Sequence, residues 1–304
     1  MTDYILHNYP FSNYAEKVRV AFGYKGLAWR AVPIPPTVPK PDLTPLTGGY
    51  RRTPVMQIGA DVYCDTRLIL RELERRHPEP TYYPAAYAAT AETIAWWAET
   101  RLFRPLSLYV SGSNLDVLPA DLQADRARMR NLPIPDQATI ERAARRSAPV
   151  VRVQISWIES MLSDGRTWIA GPEITVADFA VNHALWFMTA RTMRVAHELA
   201  PYPLITAWMD RMRQFGGGTS TPLSPEAALD IAAAAVPSAV RASHPFPEDP
   251  PLGARVRIRA DDYGRDVVEG ELVMIDADEV ALRRRDPRVG DVVVHFPRLG
   301  FEIR

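Results

Sequence analysis

The chain has 304 residues, 47% of them hydrophobic and 24% charged, and Lys+Arg and Asp+Glu both number 36, so the formal net charge is zero. That length suits two or three domains, and that balance excludes the basic excess on which general nucleic-acid and anionic-membrane binders depend. A single cysteine excludes an intramolecular disulfide or a cysteine-based metal cluster, the six histidines show no pair at ligand spacing, and no metal site is expected.

The amino-terminal residues Met1-Thr2-Asp3-Tyr4 carry no basic region leading into an apolar run, and no stretch nears the roughly 18 apolar residues of a membrane span. A cytoplasmic enzyme or binding protein is therefore expected, with no membrane partner. Residues 4–7 read as a strand. Tyr14, Ala15, Val18, Ala21 and Phe22 recur at helical spacing, which predicts a helix ended by Gly26, with the Ser12 hydroxyl just ahead of it. Residues 29–34 read as a second strand and 35–49 as loop. Residues 55–58 and 62–64 form a hairpin about Gly59-Ala60-Asp61, and a helix with Thr66 as its N-cap runs to His77, where Pro78 and Pro80 stop it. The order is βαβ, then ββα.

Three motifs lie on these elements: Ser12-Asn13-Tyr14-Ala15-Glu16-Lys17-Val18-Arg19, Arg52-Thr53-Pro54-Val55 and Cys64-Asp65-Thr66-Arg67. Their order and placement resemble the thioredoxin-like domain of the glutathione transferase superfamily. The resemblance implies that glutathione is the cosubstrate, gripped at Thr53, Pro54, Val55, Asp65 and Thr66. A thiol with a pKa of about 8.5 is nucleophilic only as thiolate. A hydrogen bond from Ser12, together with the positive end of the following helix, favours that form. A cis Pro54 turns the backbone of Thr53 toward an extended peptide, which pairs with it as an added strand. Free N–H groups and the Thr66 hydroxyl suit the α-carboxylate of the γ-glutamyl group, and Asp65 its ammonium. Arg51 and Arg52 suit the glycine carboxylate. Tyr9 and Tyr14 are rivals of Ser12 for activating the thiol. Cys64, on a strand, reads as a small core residue and is not at the family's catalytic cysteine position, so the chain departs from the thiol-reductase branches. Asp65 and Thr66 stand where the family usually has Glu and Ser, which leaves open another small thiol.

Residues 88–215 carry no strand pattern. Residues 91–110 are helical, bent at Pro105. By the resemblance this helix lines the pocket for the electrophile, with Trp97, Arg101 and Tyr109 as candidates and core packing as the alternative. Residues 131–136 form a break, and Ala144, Ala148, Val151, Ile155, Ile158 and Leu162 mark one face of a long helix. Thr175-Val176-Ala177-Asp178 reads as a capping box flanked by the staple residues Ile174 and Phe179. It looks like the box that begins the central helix of the family's all-helical domain, and residues 203–211 look like a late helix of that domain.

Gly216-Gly217-Gly218 reads as a hinge, Ser224-Pro225-Glu226 as the start of an Ala-rich helix, and 244–251, with four prolines, as a linker. From residue 252 the pattern has period two: strands at 255–259, 267–275, 280–284, 292–296 and 301–303 predict a small SH3-like barrel that docks on the helical domain. Acidic neighbours balance Arg283, Arg284, Arg285 and Arg288, which reads as a solvated surface more than a nucleic-acid patch. The run from His295 to Arg298 is a candidate to reach an active site or a partner subunit. The expected fold class is an α/β thioredoxin-like domain (1–82), an all-helical domain (88–237) and a small all-β module (252–304). The expected activity is a glutathione transferase acting on an apolar electrophile, as a homodimer. Rival expectations are a binding or scaffold protein of the same fold, and an isomerase or lyase that regenerates the thiol.

Overall fold

A computed structural model describes residues 3–190 and 192–304; Met1 and Thr2 of the amino-terminal reading lie outside the described residues. The chain opens with β1 (Ile5–Asn8), α1 (Asn13–Tyr24) and β2 (Ala28–Pro33), the two strands parallel as a crossover requires. The predicted loop contains one short helix, α2 (Thr44–Thr47), held by Leu43 and Leu46, which are fully buried. β3 (Val55–Ile58) runs antiparallel to β1, β4 (Asp61–Cys64) antiparallel to β3, and α3 (Thr66–Arg76) follows. Side chains alternate across this sheet. Leu6, Met56 and Tyr63 face α1, α3 and the helical region, while Ile5, Val55, Val62 and Cys64 face the opposite core.

The helical region comprises α4 (Ala88–Trp97), a π-helical turn (Ala98–Leu102), α5 (Phe103–Gly112), α6 (Ala120–Met129), α7 (Gln137–Leu162), α8 (Val176–Trp186) and α9 (Pro203–Gln214). Pro105 has no N–H to give the carbonyl of Arg101, and Gln154 Nε2 donates to that oxygen instead, at 3.1 Å. The adjoining π turn separates α4 from α5 within the predicted 91–110 helix. Thr175 and Asp178 form the predicted capping box at α8, and Ile174 and Phe179 are buried beside it. Asp178 is also a hub: its carboxylate accepts from the amides of Ile169 and Thr175 at 2.8 and 2.9 Å and from Trp208 Nε1 at 2.9 Å. No described helix is long and apolar enough to cross a membrane.

The carboxy-terminal third departs most from the sequence reading. Gly216–218 is no hinge: Trp29 Nε1 donates to the Gly217 carbonyl at 2.7 Å, and Gly218, at φ +67, lies so close to the Leu27 carbonyl that a Cβ would sit 2.4 Å from it. The chain is drawn into β5 (Thr219–Pro222), which pairs in parallel with β2, so a strand stands where only helix was expected. α10 (Pro225–Ala234) buries Ala228, Leu229 and Ala232 against the sheet, and residues 235–254 are without regular structure.

β6 (Arg255–Ala260), β7 (Val268–Ile275), β8 (Glu279–Asp286), β9 (Gly290–Pro297) and β10 (Phe301–Ile303) form the predicted meander, but not a separate barrel. β9 pairs in parallel with β4, so one ten-stranded sheet runs β10-β6-β7-β8-β9-β4-β3-β1-β2-β5. The module thus docks chiefly on the thioredoxin-like sheet, and only its 261–264 and 299–301 loops reach the helical region. The reason is visible in its alternation: Val292, Val294 and Phe296 of β9 enter the same core as Val55, Val62 and Cys64. At that joint His295 lies buried between Glu279 (Nδ1–Oε1 2.6 Å) and Asp61 (Nε2–Oδ1 3.4 Å) and stacks on Tyr63 at 4.5 Å. His295 therefore serves this joint, while Arg298 pairs with Asp249 and lies over Phe246. Arg283 pairs with Glu271 and Arg288 with Asp230, in keeping with a charge-balanced surface.

Candidate functional site

Two small cavities adjoin where α1, the turn before β3, the start of α3 and the module meet. The first, of about 90 Å³, is lined by Tyr9, Ser12, Tyr14, Thr53, Arg126 and Tyr263 among others. The second, of about 120 Å³, is lined by Tyr14, Arg52, Thr53, Pro54, Asp65, Thr66, Trp96 and Glu99 from the body of the protein, and by residues 261–263 and 299–301 of the module. Tyr14, Arg52, Thr53 and Tyr263 belong to both, so these four form the partition between them.

Ser12 is the N-cap of α1. Its backbone is extended (φ −77°, ψ 116°), its Oγ accepts from the Ala15 amide at 3.2 Å, and the residue lines the first cavity. Burial, the largest influence, raises the Tyr9 phenol, and the Arg126 charge and neighbouring Ser12 draw it back. Burial also holds Tyr14 well above an ordinary phenol, so Tyr14 stays neutral. Arg19 bonds Asn8 Oδ1 at 3.1 Å and the Pro10 carbonyl at 3.0 Å, which fixes the loop carrying Tyr9 and Ser12.

The Thr53–Pro54 bond is cis, as the sequence predicts. Lys40 Nζ donates to Thr53 Oγ1 at 3.0 Å; burial first, then the Arg51 charge, lowers this lysine to about 8. Val55 is fully buried in the apolar core, because the strand that starts there points it inward, so it supports the site without lining it.

At the other end the cap of α3 is Asp65 and not Thr66: Asp65 accepts from the Arg67 amide at 2.9 Å, at φ +75°, a conformation rare outside glycine. Thr66, one position on, has its Oγ1 taken by Lys17 Nζ at 3.1 Å, and the same ammonium pairs with Glu99. Burial, and after it the Glu99 charge, raises the Asp65 carboxyl. Lys17, Lys40 and Glu99 were not singled out from sequence; only Lys17 left a signal, as a cation one turn into the first helix.

Arg51 and Arg52 are not free for a carboxylate. Arg51 pairs with buried Asp125 of α6. Arg52 donates to the Asp262 carboxylate and the Tyr263 carbonyl, and its guanidinium lies 4.1 Å from the Tyr263 ring centroid. Its Nε is buried and unpartnered. Gly264, at φ +58°, completes the strap, its amide donating to the Met129 carbonyl at 2.6 Å; a Cβ there would meet Met129 at 2.7 Å. The module therefore spans from the thioredoxin-like turn to α6.

Trp97, Arg101 and Tyr109 line neither cavity. Trp97 packs 6.4 Å from Trp157, Arg101 gives its carbonyl to Gln154, and the Tyr109 hydroxyl donates to Glu198 at 2.6 Å. Trp96, Glu99, Phe103 and Ser107, which recur at three- and four-residue intervals along one helical face, line the cavities in their place. Cys64 is buried, and burial pushes its thiol up, as befits a core residue. Beyond Ser107, Leu122, Arg126 and Arg130, which also line the Ser12 cavity, an apolar groove of about 640 Å³ opens between α5, α6 and the start of α7.

Comparison with known proteins matches residues 6–81 to the glutathione S-transferase N-terminal domain and residues 128–214 to the glutathione S-transferase C-terminal domain. A GST-like protein from Pseudomonas syringae is 38% identical, with a TM-score of 0.80, and the match covers 100% of this chain and 99% of that one, carboxy-terminal strands included. A glutathione S-transferase from Rhodospirillum rubrum shares the fold at 22% identity and a TM-score of 0.55, over 69% of this chain and 87% of that one. One from Methylobacterium radiotolerans, solved in complex with glutathione sulfonate, shares it at 20% identity and a TM-score of 0.54, over 73% of this chain and 98% of that one. The comparison with curated proteins found no match.

Proposed function

The chain belongs to the glutathione S-transferase family, and from that premise we propose that it activates a glutathione thiolate for attack on an electrophilic carbon of an apolar second substrate. The observation that carries this reading is the gathering of Ser12, Tyr9, Thr53, Asp65 and Thr66, far apart in sequence, around one pair of adjoining cavities. Ser12 donates to the sulfur while α1 presents its positive end, and both favour the thiolate. Tyr9, which lines the same cavity under the influence of the Arg126 charge, orients the serine hydroxyl. The cysteinyl backbone pairs with Thr53. The γ-glutamyl ammonium meets Asp65 and Glu99, two carboxylates whose mutual repulsion a cation relieves. The second substrate lies in the apolar groove, whose volume falls in the range of about 300–1,000 Å³ usual for small-molecule sites. Neither small cavity reaches that range, so a tripeptide enters only when the strap at 261–266 shifts.

The test is a glutathione titration of wild type and Ser12→Ala, followed by thiolate absorbance in the ultraviolet. Saturable binding with a lowered thiol pKa, lost in the variant, supports the transferase. The Tyr263 partition favours a second reading, a binding protein of the same fold; saturable binding without any change in thiol pKa would select it.

A further inference from the structure

We infer that the second substrate is an apolar molecule bearing a carboxylate or like anion, its body in the groove between α5, α6 and the start of α7 and its anion on Arg126 and Arg130. The inference rests on the transferase reading for the word substrate, but its physical basis is independent of the thiol. The groove wall is hydrocarbon, and much of it is open to water: Leu108 is 39% exposed, Leu132 58% and Ile134 61%. Isolated exposed apolar residues need no explanation, whereas a contiguous concave set of them marks a binding site.

The cations at its inner end have no acid of their own, since Asp262, which acts on Arg130, is paired with Arg52. Arg126 is half-buried and Arg130 exposed, both line the passage from the groove to the Ser12 cavity, and Arg104 lies within electrostatic range of Arg130. Among the described residues neither Arg126 nor Arg130 forms an ion pair. The nearby acids are committed elsewhere: Asp125 to Arg51 and, at 4.0 Å, to Arg128, and Asp136 to the Thr139 amide at 2.8 Å as the cap of α7. Arg126 acts electrostatically on the Tyr9 phenol and gives its carbonyl to Arg130 Nη1 at 3.1 Å, and Arg130 stands 5.2 Å from the Tyr263 ring centroid. Two cations at the mouth of a hydrocarbon groove, with no anion of their own, fit a ligand with an apolar body and an anionic head. The head then lies toward the thiol, so the electrophilic carbon is close to the charged end. In the reaction the sulfur electron pair forms a C–S bond to that carbon, the leaving group departs with its bonding pair, and the thiol proton passes to solvent.

The test uses a matched pair of probes, 11-(dansylamino)undecanoic acid and its methyl ester, with binding followed by dansyl fluorescence on the full chain without thiol. The acid is expected to bind at least about tenfold more tightly than the ester, the size of one charge-assisted contact. Arg126→Gln with Arg130→Gln should bring the two within about threefold while leaving the ester unchanged. Leu118→Glu should weaken both, and Arg283→Gln, on the module, neither. With glutathione present, 4-chloro-3-nitrobenzoate should lose chloride faster than its methyl ester, each rate divided by its uncatalysed one. Equal affinity for acid and ester, or a preference that survives the double arginine variant, overturns the inference. So does probe binding that vanishes as protein concentration rises, since a second copy would then be the occupant. Probe selectivity without any thiol binding would instead leave the anion site standing and remove the transferase reading.

Discussion

At the Ser12 end of the groove a hydroxyl, a phenol and an arginine gather around a cavity that continues into an open apolar trough. At the Asp65 end, residues 261–263 and 299–301 close over a cavity crowded with carboxylates. The first end is built by α1 and the helices beside it. The second is completed by a module some 200 residues further along the chain. On the proposed reading the contrast separates two tasks: making the thiolate belongs to the open end, and admitting the thiol to the closed one.

Ser12→Ala tests the open end and carries the largest expected effect. It should lower kcat/KM by about a hundredfold or more, the usual loss when one donor to a developing anion is removed, with little change in KM. Asp262→Ala combined with Tyr263→Gly tests the closed end by releasing Arg52. Glutathione should then bind about tenfold more tightly by calorimetry, because a charge-assisted contact is returned to the ligand. An unchanged affinity would mean that the strap does not control entry. Asp65→Asn should weaken glutathione by a similar or smaller factor. In wild type, affinity should fall with acid already above the ordinary aspartate range, since protonating a carboxyl whose pKa is raised removes the partner of the ammonium; the variant should lack that dependence.

A smaller effect is expected at the joint that holds the module in place. Burial alone would lower His295, but hydrogen bonds and charge from Asp61 and Glu279 hold it above 6.5. A raised histidine contributes stability that is complete below its unfolded value and is lost as pH rises through its folded one. The melting temperature of wild type minus that of His295→Gln should therefore shrink as pH is raised from about 6.5 upward. A difference constant across that range would show that the histidine is not charged there. Last, Thr175→Ala should cost about 0.5–2 kcal/mol of stability, a few degrees in melting temperature, while leaving thiol affinity at both ends unchanged.

Much of this site was legible because it is made from local signals. A hydroxyl before a helix, a proline before a strand and an acid at a helix start each declare their geometry within a few residues, and Ser12, Pro54 and Asp65 lie accordingly. The shift of the α3 cap from Thr66 to Asp65 is a one-residue error, since either side chain can accept from a free amide. The electrophile-side candidates Trp97, Arg101 and Tyr109 rested on the resemblance alone, with core packing as the favoured alternative. The lining residues Trp96, Glu99, Phe103 and Ser107 recur at three- and four-residue intervals on one helical face, and the three candidates fall off it. Period-two alternation revealed the strands of the module but not their neighbour. A sheet edge leaves no mark for the partner it will take, so the pairing of β9 with β4, and with it the capture of Arg52 by Asp262, had no local signature.

That pairing makes the module difficult to lose. A chain ended near residue 251 would leave the backbone of residues 61–63 as a bare rim, with Val62 and Cys64 stripped of the valines that cover them. Such a rim is a template for the next chain, so a shortened protein should form aggregates rather than a smaller folded one. Gene truncation and proteolytic trimming should therefore both meet the same barrier.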